Sequence, residues 1–493
     1  MGRTASSTLR AGTLLATSLL PVGFVAGAAT TAAPGAPAAT APAATARPTS
    51  VSRNSAAGSG DWPVYHGDPA GSGDVTAKVD LSSLGTVWRS PALDGQLYGE
   101  PLVVGGSVYV ATEDDSVYAL SSSTGAVRWR RHLATAVPSG DLPCGDISPT
   151  VGVTGTPVVD LVRHELFVVA DEVVAGHPEH WLYGLGLGGG SVELRQQVDP
   201  PGADPSALLQ RTGLTLDEGD VVFGFGGNYG DCGSYHGWVV SVPEAGGTAQ
   251  RFEVDAGTGE SQGAVWMGGA APVVDGNGDI WVATGNGSVT SKSGPYDDAD
   301  SVLELSPSLH LLQSFAPSNW YRLSAGDLDL GSVSPALLPD GMVVQGGKGH
   351  TLYLLRRSRL GGIGGQLGRR AGVCAGDIDG GAAVKGDVAY LPCQSGLLAV
   401  RVDAAAGRLT VRWQAPSGAG GPPIVAGGLV WTIAGATLLG LDPSTGAATE
   451  QLPVASGADH FPTPSVGDGL LLAPGGDQVT AFGPPGALRR RAR

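Results

Sequence analysis

Charge is scarce in this sequence, and what there is leans one way. Only 15% of the 493 residues are charged, with 45 Asp and Glu against 29 Lys and Arg, a formal net charge of −16. So acidic a chain argues against nucleic acid or an anionic membrane as partner. Cysteine is limited to four residues, none before Cys144, with no C-x-x-C pair or nearby pair of histidines. Metal binding through cysteine is therefore disfavoured, and a lipid-modified cysteine near the start is ruled out. No nucleophile elbow, zinc-protease motif or phosphate loop occurs, so a hydrolase has no support. Ala11 to Val25, broken by Pro21 and Gly23, is too short and too rich in Thr, Ser and Gly for a membrane span.

Glycine is abundant instead, 80 residues with 35 Pro and no triplet period, which fits a chain with many turns. The stretch Gly106 to Arg131 shows what the turns connect. Val108-Tyr109-Val110 and Val117-Tyr118-Ala119-Leu120 are β-branched and aromatic runs parted by Glu113 to Ser116, and Thr124-Gly125 leads to a third run, Ala126 to Trp129. Three such strands cannot stand alone in water. Further copies follow, opened by a small residue and Pro at Pro101, Pro157, Pro272, Pro335, Pro423 and Pro464, with weaker openings near Gly213 and Gly380. The spacing falls from roughly 55–60 to roughly 40 residues, within the range of propeller repeats. The expected fold is all-β: a β-propeller of about eight four-stranded blades, with seven left open. Leu84 to Trp88 reads as a lone third strand, and the last repeat, Pro464 to Phe482, lacks a final one. An N-terminal strand at Val87-Trp88 would close the ring.

Residues 1–28 read as a secretory signal peptide: Arg3 and Arg10, an apolar run, then Ala26-Gly27-Ala28 as a cleavage site. No Arg-Arg pair is present there, so the general secretory route is expected. Residues 29–60 form an Ala/Pro/Thr/Ser-rich linker, 61–485 the propeller, and 486–493 a basic tail with Arg489 to Arg491 and Arg493. The product is expected to be secreted, outside the cell or in its envelope, without a membrane span, and monomeric. An even number of cysteines suits that oxidising setting. Four allow three pairings; spacing and position favour Cys374 with Cys393 and Cys144 with Cys232 as structural staples. Trp62, Tyr65 and His66 read as an anchor laying the N-terminus across the propeller.

Gly106 to Trp129 resembles the repeat of the pyrroloquinoline-quinone-type β-propellers, a superfamily with quinoprotein dehydrogenases and the propeller lipoprotein of the outer-membrane assembly machine. The resemblance covers about Asp61 to Pro485. With Asp61 to Asp68, Tyr235 to Trp238, Ala283 to Gly287 and Asp327 to Gly331, it extends to exported bacterial proteins carrying quinone-binding-like repeats. It implies two functions. One is a PQQ- and Ca²⁺-dependent oxidoreductase acting on alcohols or sugars. There Trp266 and Asn286 would touch the quinone, Glu172 and Asn286 the Ca²⁺, and Asp327 or Asp329 would be the base. The vicinal Cys-Cys that stacks the quinone in the alcohol enzymes is missing. The other function is a binding or scaffold protein for an unknown protein, peptide or glycan. It ranks first, because a fold hosts many functions and the residues also have plain readings. Asn286-Gly287 is a common turn pair, and Glu172 beside Asp171 reads as a loop carboxylate. Asp275 to Asp279 reads as a hairpin turn, because a calcium loop would place Glu where Asn286 stands. His236 could face a ligand or cap a strand, and Lys348 in its glycine-flanked turn could approach an anion. The insertions Thr135 to Val151, Pro200 to Gln210, Ser288 to Asp300 and Ala316 to Asp329 are expected on one face, carrying Tyr296, Trp320 and Tyr321 for ligand contact.

Overall fold

The computed structural model describes residues 60–75, 81, 83–416, 418, 420–457 and 460–484. The expected signal peptide, the expected linker up to residue 59 and the expected basic tail lie outside these residues. Eight blades of four antiparallel strands follow one another along the chain, the third and fourth each extended by a short fifth strand. In the first blade Leu102–Val104 is innermost, followed outward by Ser107–Ala111, Ser116–Ser121 and Val127–His132. The inner strands of the second to eighth blades are Val158–Asp160, Thr215–Asp217, Val273–Val274, Ala336–Leu337, Ala383–Lys385, Ile424–Ala426 and Ser465–Gly467. The three inner strands of the first blade are buried almost throughout, because both faces of each sheet pack against neighbouring blades. Its outer strand alternates polar and half-buried positions, as an edge should. Among the described residues no helix is long and apolar enough to cross a membrane.

Gly85–Arg89 pairs antiparallel with Gln478–Gly483 as the outer strand of the eighth blade. The ring is thus closed between the two ends of the chain, as the lone Val87-Trp88 strand suggested. A recurrent contact locks neighbouring blades. The outer-strand indoles of Trp88, Trp129 and Trp413 each lie on a glycine of the next blade's outermost turn, Gly125, Gly190 and Gly446. Each indole N–H donates to a carbonyl there, of Ser122 at 2.8 Å, Leu187 at 2.9 Å and Pro443 at 2.8 Å. Gly125 has φ of +71°, and a Cβ on it would stand 2.5 Å from the Trp88 ring. Gly125→Ala is expected to destabilise the ring by on the order of 2 kcal/mol, read as a lower melting temperature, because it strains the turn and lifts the indole. An unchanged melting curve would show that this joint bears no load.

Successive strands place the insertions on one end of the ring, here the loop face, and the short hairpins after the inner strands on the other, the turn face. Two disulfides tie the loop face. Cys144–Cys232 joins the loop after the first blade to one inside the third, and Cys374–Cys393 joins the approach to the sixth blade with that blade's own loop. Asp275 to Asp279 is a hairpin turn, with Asp275 Oδ1 accepting the Asn277 and Asp279 N–H groups.

Residues 60–75 fill the central channel. Trp62 exchanges two backbone hydrogen bonds with Val103, at 2.6 and 3.0 Å. The carbonyls of Gly60, Pro63, Pro69, Ser72 and Gly73 accept from Asp468, Val159, Val274, Val384 and Val425. Six of the eight blades are therefore stitched to one segment. At its tip the Tyr65 hydroxyl accepts the Gly381 N–H at 3.1 Å and meets Thr463 Oγ1 at 3.2 Å, while the His66 N–H donates to Glu100 at 2.7 Å. The tip residue His66 is left-handed, with φ of +59°. Burial pushes its imidazole down to about 4, so the plug carries a neutral ring.

Candidate functional site

Above the plug, loops from several blades meet at the loop end of the channel. Asn286, on the loop following Ile280–Ala283, is held by both its backbone and its side chain. Its N–H donates to Asp329 Oδ1 at 2.7 Å, and its Nδ2 donates to Asp231 Oδ2 at 3.1 Å. The Tyr235 hydroxyl donates to the other oxygen of Asp231 at 2.5 Å. Asp329 is buried, and its second oxygen lies 2.7 Å from Lys348 Nζ. Lys348 also reaches Asp327 at 3.4 Å, although the Asp327 side chain is 68% exposed. The ammonium sits 5.3 Å from the Trp266 ring centre, a cation–π contact.

Burial works against the charge of Lys348, but Asp329 and Asp327 more than offset it and hold the ammonium protonated. Burial likewise raises Asp329, opposed by Lys348. Beneath them Asp300 accepts from Ser324 Oγ at 2.8 Å and from the Leu330 N–H at 2.9 Å. Burial, then the charge of Asp329, pushes Asp300 up to about 8. The other wall holds Arg211, 6% exposed, which donates to the His460 carbonyl at 3.1 Å. Its guanidinium lies 5.6 Å from the Tyr98 ring and 5.7 Å from Phe461. Phe461 in turn stands 5.9 Å from Trp266, tilted by 50°.

Of the residues singled out in the sequence, Trp266, Asn286 and Asp329 are thus brought together, with Asp327 at the rim. Glu172 is not among them. It lies in the strand Glu165–Val174 of the second blade, where the Tyr183 hydroxyl donates to it at 2.6 Å and Arg195 forms an ion pair with it. The expected Ca²⁺ set of Glu172 with Asn286 is therefore not assembled, since strand alternation turns Glu172 toward these blade partners. Tyr296, Trp320 and Tyr321 lie on the loop face but pack on one another at 5.4 and 6.1 Å, filling the base of a loop. Arg211 and Phe461 escaped sequence reasoning. Arg211 stands two residues before the small-residue opening at Gly213, between the apolar run Leu208-Leu209 and the next strand, and no motif marks it.

A family model described as outer membrane protein assembly factor BamB matches residues 49–281. Over that stretch, just under half of the chain, the sequence matches a pyrroloquinoline-quinone-type repeat, and the fold is an eight-bladed β-propeller. No curated protein matches the sequence. Among solved structures, the chain is similar to a quinohemoprotein alcohol dehydrogenase from Comamonas testosteroni. The TM-score is 0.64 at 16% identity, over 87% of this chain and 81% of that one. A europium-containing methanol dehydrogenase gives 0.63 at 14%, over 86% and 98%. BamB from Moraxella catarrhalis gives 0.52 at 12%, over 82% and 98%. Identities this low carry the fold alone. Enzyme and assembly factor share it, so the site has to decide between them.

A quinone needs a flat slot with two walls and, in the resemblance drawn above, a Ca²⁺ beside it. Trp266 supplies one wall, but Phe461 and the Lys348 ammonium already lie against it. The Asp329 carboxylate is paired with that ammonium, the Asn286 amide is engaged by Asp231, and Glu172 is turned away. The residues present do not fit the quinone and its ion together.

Proposed function

We propose that this quinone-type propeller is a binding or scaffold protein whose loop face receives a partner. The observation that carries this reading is the channel itself. Its loop end is filled by Trp266, Phe461, Lys348 and Arg211, and its interior by residues 60–75. What remains for recognition is the surface of the loops, stapled by two disulfides. The leader-like residues 1–28 and the disulfides support secretion, outside the cell or in its envelope, as the setting. A protein, peptide or glycan is the class of partner this surface suits.

A second reading is kept for a specific reason: Trp266, Asn286, Asp329 and Lys348 converge within one site. A quinoprotein oxidoreductase acting on alcohols or sugars would draw on that group, with Asp329 as its base. Titrating the purified protein with pyrroloquinoline quinone, with and without Ca²⁺, separates the two. The binding reading expects no saturable change in quinone absorbance and no dye reduction with alcohols or sugars. Saturable, Ca²⁺-dependent binding with turnover would replace it with the oxidoreductase.

A further inference from the structure

His236 has no part in the channel site, yet the fold surrounds it with oxygen ligands. Trp238–Pro243 pairs with Gln250–Glu253 in the third blade, Trp238 opposite Glu253. The ladder runs one step further through the Val254 N–H, which donates to the Gly237 carbonyl at 3.0 Å. His236 therefore falls opposite Asp255, and Glu253, two residues before Asp255, projects from the same sheet face. His236 Nδ1 lies 2.8 Å from each Asp255 oxygen and 3.6 Å from Glu253 Oε1. One ligand atom from each residue lies within 4.8 Å of the other two.

Three features go beyond a simple histidine–carboxylate pair. Two carboxylates face one imidazole, and among the described residues no Lys or Arg pairs with either. The Asp255 side chain is 2% exposed, so its charge is held in place, while His236 and Glu253 are each about one-third exposed and leave a path from solvent. Further negative charge lies behind. Asp297 feels the charges of both Asp255 and Glu260, and its buried Oδ2 has no hydrogen-bond partner in the structure. Such a field favours a dication over a single shared proton.

We propose that His236, Glu253 and Asp255 bind a divalent transition-metal ion of the Zn²⁺ class at the loop-face rim of the third blade. A nitrogen ligand with two carboxylates suits such an ion better than Ca²⁺, which takes oxygen alone. Metal–ligand bonds of about 2.1 Å put neighbouring ligand atoms roughly 3.0–3.4 Å apart, and the observed separations bracket that spacing. Three protein ligands leave positions open to solvent or to a partner's side chain. The site is independent of the channel residues, so its failure would leave the binding reading of the loop face untouched.

Chelator-treated protein titrated with Co²⁺ should develop saturable visible absorption at one ion per chain, and Zn²⁺ should displace it. His236→Gln and Glu253→Gln, at partly exposed positions that keep the fold, should each weaken binding at least about tenfold. Their melting curves without metal should match the parent. Absence of saturable Co²⁺ and Zn²⁺ binding would overturn the proposal. So would full-strength binding by His236→Gln, which would place the ion elsewhere.

Discussion

A chain lacking residues 60–75 should lose the cooperative melting transition of the full protein, or melt far below it. That segment makes backbone hydrogen bonds with six blades, and it buries Trp62, Val64, Tyr65 and His66 along the axis of the ring. Removing it would leave the amides of Val103, Val159, Val274, Val384 and Val425 facing an open channel, and would also empty an apolar core. A single substitution grades the effect. Trp62→Ala should cost about 3–5 kcal/mol, the range for a buried Trp truncated in a core. Gly67 approaches the Trp62 ring so closely that a Cβ there would stand 2.7 Å from it, so the gap has little room to collapse. Denaturant unfolding of both variants is the measurement. A midpoint within error of the parent would mean that the blades hold the ring without the plug.

Raising the pH from about 5.5 to about 8.5 should lower the melting temperature markedly, and Asp115→Asn should remove much of that slope. Glu113, Asp115 and Asp171 lie buried at the seam of the first and second blades. Gly152 donates its N–H to Glu113 at 2.8 Å, and its carbonyl accepts the Asp171 N–H at 3.2 Å. Both oxygens of Asp115 and of Asp171 lack hydrogen-bond partners in the structure. Burial, ahead of mutual repulsion, pushes Asp115 well above the usual carboxylate range. Burial pushes Glu113 and Asp171 each up to about 7, with Arg211 and His180 pulling the other way. Carboxyls raised in the folded state stabilise it most below the unfolded value near about 4, and that contribution fades as pH climbs through about 7. His180, between Asp171 at 3.7 Å and Asp199 at 2.8 Å, is raised as well and adds loss in the same direction. Because Asp115 has φ of +51°, Asn suits its backbone, and the substitution tests charge alone. An unchanged pH profile in Asp115→Asn would show that the seam does not titrate.

Period-two strands and glycine turns made the blades and the closing strand legible before any coordinates, because alternation and turn chemistry are local properties. The channel site was legible only where it sits on those turns. Asn286 and Asp329 could be placed because each follows a recognisable strand or loop. Glu172 could not, since it adjoins Asp171 and alternation sends the two carboxylates to opposite sheet faces, a choice of one residue in register. The approach of Phe461 to Trp266 and that of Arg211 to Phe461 join blades far apart in sequence. No local pattern encodes them.

The plug also sets an order in time. Tyr65 meets Thr463 across 398 residues, and Gly60 binds the turn that follows the last inner strand. Among the first described residues to be synthesised, the plug finds its final partners only when the eighth blade exists. Its docking is therefore a late, long-range step, and one that succeeds only on a finished ring. An array truncated before the eighth blade would deny Tyr65 and Gly60 these partners, so the segment that occupies the channel packs fully only on a complete ring.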